Sequence, residues 1–310
     1  LSRTSIKTLL DFLPEDLARA MEQLSDVQLE IVEELRLRNG EPLTVVTAQG
    51  DYPVGLRERR IESEDLLFTL EQATGASLHT ALSSLRQGFL PVRGGHRIGV
   101  CGTIVTWEGE NAALRDISSL NLRVAREAGG IAVGVLPALT EQGRLCSTLI
   151  LSPPGMGKTT LLRELLRCCS EGEGVPPMRV GVADERGELC AMGGGQPQLS
   201  VGRRTDVVCG GMKAEGLMLL LRGMNPEILA VDEISAAEDI GAIEEAVGCG
   251  VTVLATAHAG CIADLRRRTS YRQLMEKGLF SRFVLVSRRR GRRVYEIFDE
   301  GGERLATAGD

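Results

Sequence analysis

The stretch LILSPPGMGKTT, residues 149–160, sets a lysine just past a buried-looking strand, in a segment almost without side chains. STLIL (147–151) reads as a short buried strand. Thr159–Cys169 reads as a helix, with Leu161, Leu162, Leu165, Leu166 and Cys169 on one face. Strand, tight loop and helix form the setting in which a phosphate-binding loop works. The segment Ser152, Pro153, Pro154, Gly155, Met156, Gly157, Lys158, Thr159, Thr160 is expected to curl until its backbone amides converge. The helix start adds further amides and partial positive charge. Glycine serves where the chain turns sharply or approaches a phosphate. Lys158 is then a mobile cation for the β- and γ-phosphates, and the Thr159 hydroxyl a ligand for Mg²⁺. The pattern G-x-x-x-x-G-K-[ST] is met except at its first position, which is Ser152. A chance glycine turn is the plain alternative, and the flanking strand and helix weigh against it.

Outward from this loop, strand-like and helix-like runs alternate. MRVGVA (178–183), EILAV (227–231) and VTVLAT (251–256) read as strands. Ala214–Met224 and Ser235–Val247 read as helices, the second opened by a capping box of Ser235 and Glu238. The pattern is that of an α/β fold with a mainly parallel sheet. EILAVDEI delivers Asp232 and Glu233 at the C-terminal end of a strand, where ligands of open α/β sheets bind. Asp232 suits the Mg²⁺ shell, and Glu233 suits a general base for an attacking water. The GTP-selecting N-K-x-D pattern is absent, so ATP is the expected nucleotide. Thr256-Ala-His258 ends the next strand, within reach of a γ-phosphate. DERGE (184–188) follows the MRVGVA strand. Its Asp184 and Glu185 either edge the site or pair with arginines such as Arg186.

The bulk numbers bound the class. The 310 residues allow about two domains. With 43% apolar and 25% charged residues, a packed core is expected and disorder is not. A net charge of −6 argues against a dedicated nucleic-acid binder. The beginning, LSRTSIKTLLDFLPEDL, reads as an amphipathic helix and not a signal peptide, and no apolar run is long enough to span a bilayer, so a cytoplasmic location is expected. Eight scattered cysteines read as buried free thiols, and three separated histidines give no zinc pattern. The first part of the chain, 1–127, reads as a smaller α+β domain. It holds apolar residues at helical spacing (Leu24, Val27, Leu29, Ile31, Leu35), a strand TVVTA between turn signals, and GGHRIGVCGTIV (94–105) as a hairpin. Glu127–Gly130 reads as a hinge into the second domain, 128–310, which ends in a hairpin around Gly291.

SPPGMGKTTLLREL is followed in order by VGVADERGEL, GRRTDVV, AEGLMLLLRGMNPEILAVDEI, EDIGAIEEAVGCGVTVLATAHAG and DLRRR. With EELRLRNGEPL and GGHRIGVCGTIV…ISSLNLRVARE before them, this series resembles the stage III sporulation protein AA family over about residues 30 to 300. That family belongs to the secretion-type, additional-strand ATPases of the RecA/AAA-like group. The resemblance implies a RecA-like P-loop core and a ring, a hexamer with ATP at subunit interfaces. It implies an ATPase in the mother cell of an endospore-former, peripheral to a membrane channel complex of the sporulation septum that it energises. By the same similarity Asp184-Glu185-Arg186 takes the acidic-box position and Thr256-Ala-His258 the histidine-box position. A ring ATPase usually needs an arginine from the neighbouring subunit. The candidates are Arg203, Arg204, Arg222 and Arg97.

Two other readings compete. Arg266 to Arg268 and Arg288 to Arg290 with Arg292 and Arg293 fit a nucleic-acid-dependent motor on the same core. Aromatics at 3% leave few stacking platforms, so basic faces for acidic partners are the preferred account and no nucleic acid is expected. A small-molecule kinase is the third reading, and it leaves Glu233 with little to do.

Overall fold

The structure is a computed structural model and describes residues 2–55, 58–75, 89–107, 110–125, 130–193, 195–267, 269–289 and 292–309. The chain forms two compact units, Leu1–Glu127 with Ala191–Gln198, and Ala128–Cys190 with Leu199–Asp310. Of the expected hinge at Glu127–Gly130, only Gly130 lies among the described residues.

The first unit opens with α1 (Ser2–Leu10) and α2 (Glu15–Glu22), where one helix was expected. Pro14 has no N–H to continue a helix, and it stands as the extended N-cap of α2. In α3 (Asp26–Ile31), Ser25 Oγ accepts from the Gln28 amide at 3.3 Å and Gln28 Oε1 accepts from the Ser25 amide at 2.9 Å. Val32 then turns extended and starts β1 (Val32–Arg38). Leu35, expected on a helix, therefore lies on a strand whose alternation buries Leu35 and Leu37. β2 (Thr44–Thr47), β3 (Gly50–Pro53), α4 (Ser63–Thr74), β4 (Phe89–Pro91), β5 (Arg97–Trp107) and β6 (Glu110–Arg123) follow. The antiparallel sheet has the order β3-β2-β1-β6-β5-β4. Leu9, Met21, Leu66 and Leu70 from the helices share a core with Leu35, Ile98 and Leu122 from the sheet. Of the hairpin expected over 94–105, Gly94 and Gly95 lie in a 3₁₀ turn after β4, and 97–105 belong to one long strand. β5 runs through Gly99 and Gly102, absorbs irregularities near Cys101 and Val105, and pairs with β6.

In the second unit the chain order is β7 (Thr148–Ser152), α5 (Lys158–Glu171), β8 (Val180–Asp184), β9 (Thr205–Cys209), α6 (Lys213–Gly223), β10 (Ile228–Val231), α7 (Ala237–Gly248) and β11 (Thr252–His258). Two short helices, α8 (Ile262–Arg267) and α9 (Thr269–Glu276), lead to β12 (Arg282–Arg289), β13 (Arg292–Asp299) and β14 (Arg304–Gly309). The sheet order is β9-β8-β10-β11-β7-β12-β13-β14, parallel from β9 to β12 and antiparallel beyond. The mainly parallel sheet expected from the alternating pattern is present. β9, at its edge, carries only partly buried and exposed residues, and that is why it gave no apolar run in the sequence. One strand, β11, separates the loop-bearing β7 from the acid-bearing β10.

β7, β8 and β10 are buried along their whole length, as strands covered on both faces must be. Leu149 and Leu151 pack with α6, α7 and α9 through Leu217, Leu220, Ile243 and Leu274. The strand period sends Ile150 the other way, where α5 lies against β7 and β11 with Leu161, Leu162, Leu165 and Leu166 buried. α7 starts two residues later than expected, and its cap is different. Asp239, not Glu238, accepts from the amides of Ser235 and Ala236, at 3.1 Å each. All eight cysteines are free thiols, but only Cys168, Cys169 and Cys190 are buried. Burial pushes the Cys168 and Cys169 thiols up to about 11 and about 12. No helix among the described residues is long and apolar enough to cross a membrane.

Candidate active site

The loop expected to bind phosphate begins at Ser152, the last residue of β7, which is buried and donates its hydroxyl to the Pro153 carbonyl at 2.7 Å. Ser152 is not among the residues with positive φ, so this position has no need of glycine. The turn is made further on. Gly155 has φ +75° and Gly157 φ +97°, both in the left-handed region that side chains disfavour. Pro153, Pro154 and Gly155 are exposed, while Met156, Thr159 and Thr160 are half-buried. Gly157 is the N-cap of α5, so the first free amides of the helix follow it directly.

Register brings the neighbouring strand ends to this loop. His258 lies opposite Ser152 in the β11–β7 pairing, and Val231 opposite Ala255 in the β10–β11 pairing. Lys158 is 7% exposed, yet its Nζ lies 3.2 Å and 3.4 Å from the two ring nitrogens of His258. The His258 Nε2 lies 2.9 Å from Glu233 Oε1. The Thr159 hydroxyl donates to Asp232 Oδ2 at 2.8 Å, and Asp232 Oδ1 accepts from the Thr256 hydroxyl. Lys158, Thr159, Asp232, Glu233, Thr256 and His258 thus form one connected polar group.

Glu233 has φ +55°, rare for a residue with a side chain. Such a conformation persists where its surroundings over-determine it. The Glu233 amide donates to Thr256 Oγ1 at 2.8 Å, and its carbonyl accepts from Lys213 Nζ at 3.0 Å. The next residue is tied on both sides as well. The Ile234 amide donates to the Thr256 carbonyl at 2.9 Å, and its carbonyl accepts from the Tyr271 hydroxyl at 2.7 Å. The Arg186 guanidinium lies 2.9 Å from Glu233 Oε2.

Asp184 and Glu185 take different parts. Asp184 is buried, and its oxygens accept from the amides of Glu188, Leu189 and Cys190 at 2.9, 3.3 and 2.8 Å. Burial pushes its carboxyl above the usual aspartate range, against the pull of those amides. It braces the loop after β8. Glu185 is exposed and lies 3.0 Å from Lys213 Nζ. Neither pairs with Arg186, which reaches Glu233 instead. Asp184, Glu185, Arg186, Glu188, Lys213, Asp232 and Glu233 line about 240 Å³ of space open to solvent. Lys213 gave no signal in the sequence, since nothing there shows that the first turn of α6 faces the acids.

Arg203 and Arg204 lie elsewhere in the second unit. The Arg204 guanidinium donates to the Ser170 carbonyl at 3.0 Å, and Arg203 pairs with Glu171 at 2.8 Å. Both precede β9 at the starting edge of the parallel strands, where Val180 pairs with Thr205. The loop and the acids lie at the other edge, about 16 Å away along a five-residue strand. Arg222 is exposed 3.9 Å from Glu245, and the Arg97 guanidinium lies 4.9 Å from the centroid of the Phe89 ring in the first unit.

A parallel sheet with a phosphate-type loop on β7, and one strand between it and a carboxylate strand, defines an additional-strand P-loop fold. Solved ATPases share it. The Legionella pneumophila ATPase DotB superposes with a TM-score of 0.61 at 17% identity, over 93% of this chain and 81% of that one. The pilus retraction motor PilT, solved with bound ADP, superposes with a TM-score of 0.58 at 16% identity, over 91% and 80%. The chain belongs to the family described as sporulation stage III, protein AA, whose profile matches residues 4–305. It is 39% identical over 298 residues to stage III sporulation protein AA of Bacillus subtilis (strain 168), covering 96% of both chains. The resemblance read from the motif series is thereby confirmed.

Proposed function

We propose that this protein hydrolyses ATP as a secretion-type ring ATPase, and that it energises a membrane channel complex in the mother cell during sporulation. The observation that carries the reading is the 2.8 Å bond between Thr159 and Asp232, which joins the loop's hydroxyl to the strand-end carboxylate. A hydroxyl and a carboxylate are oxygen donors of the kind Mg²⁺ takes, with the rest of its shell from phosphates and water, so these two residues fit that ion. Bound there, Mg²⁺ would neutralise charge on the β- and γ-phosphates.

The residues divide the work as follows. The amides from Gly155 to Thr160 and the Lys158 ammonium hold the phosphate tail of ATP. Glu233 accepts the proton of a water as that water's oxygen attacks the γ-phosphorus and the bond to the β-phosphate oxygen breaks. Both Glu233 oxygens already have a partner, but a carboxylate offers about four lone-pair sites and keeps room for that proton. Arg186 and His258 hold the Glu233 carboxylate in place. Arg204, on the far edge of its own sheet, could serve only a site on a neighbouring copy, as a ring of six would supply. DotB is named an ATPase and PilT a motor, which supports work done on an assembly.

The test is phosphate release from ATP and Mg²⁺ by the purified chain. Glu233→Gln is expected to keep nucleotide binding and lose turnover by about 10²–10⁴-fold, the usual share of a general base. Unchanged hydrolysis would remove Glu233 from the mechanism. Native mass with and without nucleotide tests the ring: a monomer under every condition overturns both the hexamer and the role given to Arg204.

A further inference from the structure

The basic C-terminal hairpin stands at the phosphate edge of the sheet. β12 runs parallel to β7, with Leu285 opposite Leu151. It continues for four more residues to Arg289, whereas β7 ends one residue later, at Ser152. β13 returns antiparallel, with Arg293 opposite Arg288. Arg293 therefore lies at a level about 7 Å past Ser152, on the side where the loop curls. Its side chain reaches that loop. A Cβ placed on Gly157 would meet the Arg293 guanidinium, with Nε at 3.0 Å, Cζ at 3.3 Å and Nη2 at 3.4 Å. The guanidinium occupies the space that a side chain at Gly157 would fill, next to the residue whose left-handed turn presents Lys158 and the first amides of α5. On the same hairpin Arg289 and on the next strand Arg304 both pair with the buried Glu296, at 3.0 and 3.2 Å.

We propose that Arg293 is a further cation of the nucleotide site, supplied by the hairpin of the same chain, and that it recognises the polyphosphate tail. The inference rests on the nucleotide reading above. Arg suits the task because its planar fork of donors matches phosphate oxygens and its charge is permanent. It differs from the arginine expected from a neighbouring subunit in that it is already present in a monomer. It also gives the hairpin a direct part in sensing the phosphates.

The test compares binding of fluorescent ATP and AMP analogues, and of tripolyphosphate as competitor, to the full chain and to Arg293→Met and Arg293→Lys. Methionine keeps the apolar bulk against Gly157 and removes the charge, whereas lysine keeps the charge. Arg293→Met is expected to weaken ATP and tripolyphosphate by about 10–100-fold, the range for a charge-assisted hydrogen bond, with AMP little changed. Arg293→Lys is expected to recover part of that loss. Equal binding by Arg293→Met and the wild type overturns the proposal, as does a loss shared equally by AMP, which would mark a packing role. Should Arg293→Met melt well below the wild type, Arg293→Gln, which removes the charge but keeps a polar side chain, decides: wild-type AMP binding with weakened tripolyphosphate binding supports the proposal, and wild-type binding of both overturns it. Failure of the wild type to bind ATP or tripolyphosphate at all would bring down the nucleotide reading itself, an outcome distinct from the others.

Discussion

From Ser152 to Thr160 the groups available to a phosphate are main-chain amides and one lysine, all from consecutive residues. Across the edge, around Glu233, the polar groups are side chains gathered from separate stretches. Arg186 follows β8, Lys213 opens α6, Asp232 follows β10, Thr256 and His258 close β11, and Tyr271 lies on α9. The loop depends on backbone shape, which two glycines secure. The acid edge depends on register, because Glu233 sits correctly only if β10 and β11 pair as they do. A change of shape should therefore damage the loop most. A change of one partner at the acid edge should be shared among the remaining ties.

The sharpest way to break this contrast is at Gly157. In Gly157→Val the Arg293 side chain can swing aside, but the strain of φ +97° remains. Nucleotide affinity is expected to fall about 100-fold, for a strain of roughly 1–3 kcal/mol. Gly155→Ala is the control within the same loop. Nothing lies within 4 Å of a Cβ there, so only the milder cost of φ +75° applies, about 10-fold or less. Equal effects at the two positions would show that crowding by Arg293 and proximity to Lys158 add nothing to backbone strain. Titration calorimetry with nucleotide reads both.

Next in size is Lys213→Met. The Lys213 amine ties the Glu233 carbonyl and the Glu185 carboxylate, and Asp239 lies 3.9 Å away. Without it, Thr256 and the Ile234 bonds still hold the left-handed turn. Turnover is expected to fall about 10-fold, the worth of one charge-assisted bond, with KM changed by less than half that factor. A loss as deep as that of Glu233→Gln would mean that the turn hangs on Lys213 alone. An equal rise in KM would place Lys213 on the nucleotide instead.

The same contrast explains what could be read before the structure. The strand, glycine turn and helix around Lys158, the strand ending in Asp232 and Glu233, and the mainly parallel sheet were legible because each is written in consecutive residues. Ser152 departs from the motif, yet its place on a strand needs no glycine. Lys213 and the Arg186–Glu233 pair were not legible, because they exist only once strands have taken their order. For Asp184 the sequence leaves open whether it edges the site or pairs with an arginine, and the structure shows three local amides on its carboxylate. In the first unit, spacing alone put Leu35 on a helix. A period of 3.6 and a period of 2 share positions over so short a run, and the extended Val32 chooses between them.

The smallest expected effect lies behind the loop, on α5, and concerns stability alone. Glu164 is buried, and its oxygens accept from the Gly130 amide at 2.7 Å and from Arg167 at 3.0 Å. Burial alone would raise its carboxyl, but the bonds from Arg167 and Gly130 outweigh it and hold the carboxyl below the ordinary glutamate value of 4.5. A carboxyl depressed on folding adds stability that is complete above the ordinary value and is lost as pH falls through the depressed one. Glu164→Gln keeps an acceptor but not the charge, so at neutral pH it is expected to cost about 1 kcal/mol in urea unfolding. The gap to the wild type should close as pH drops below 4.5, where the wild-type glutamate itself takes up a proton. A gap that stayed constant into acid would trace the loss to the shape of the amide and not to the missing charge. Nucleotide affinity of the variant at neutral pH should match the wild type, because Glu164 braces the helix behind the cradle without touching the loop.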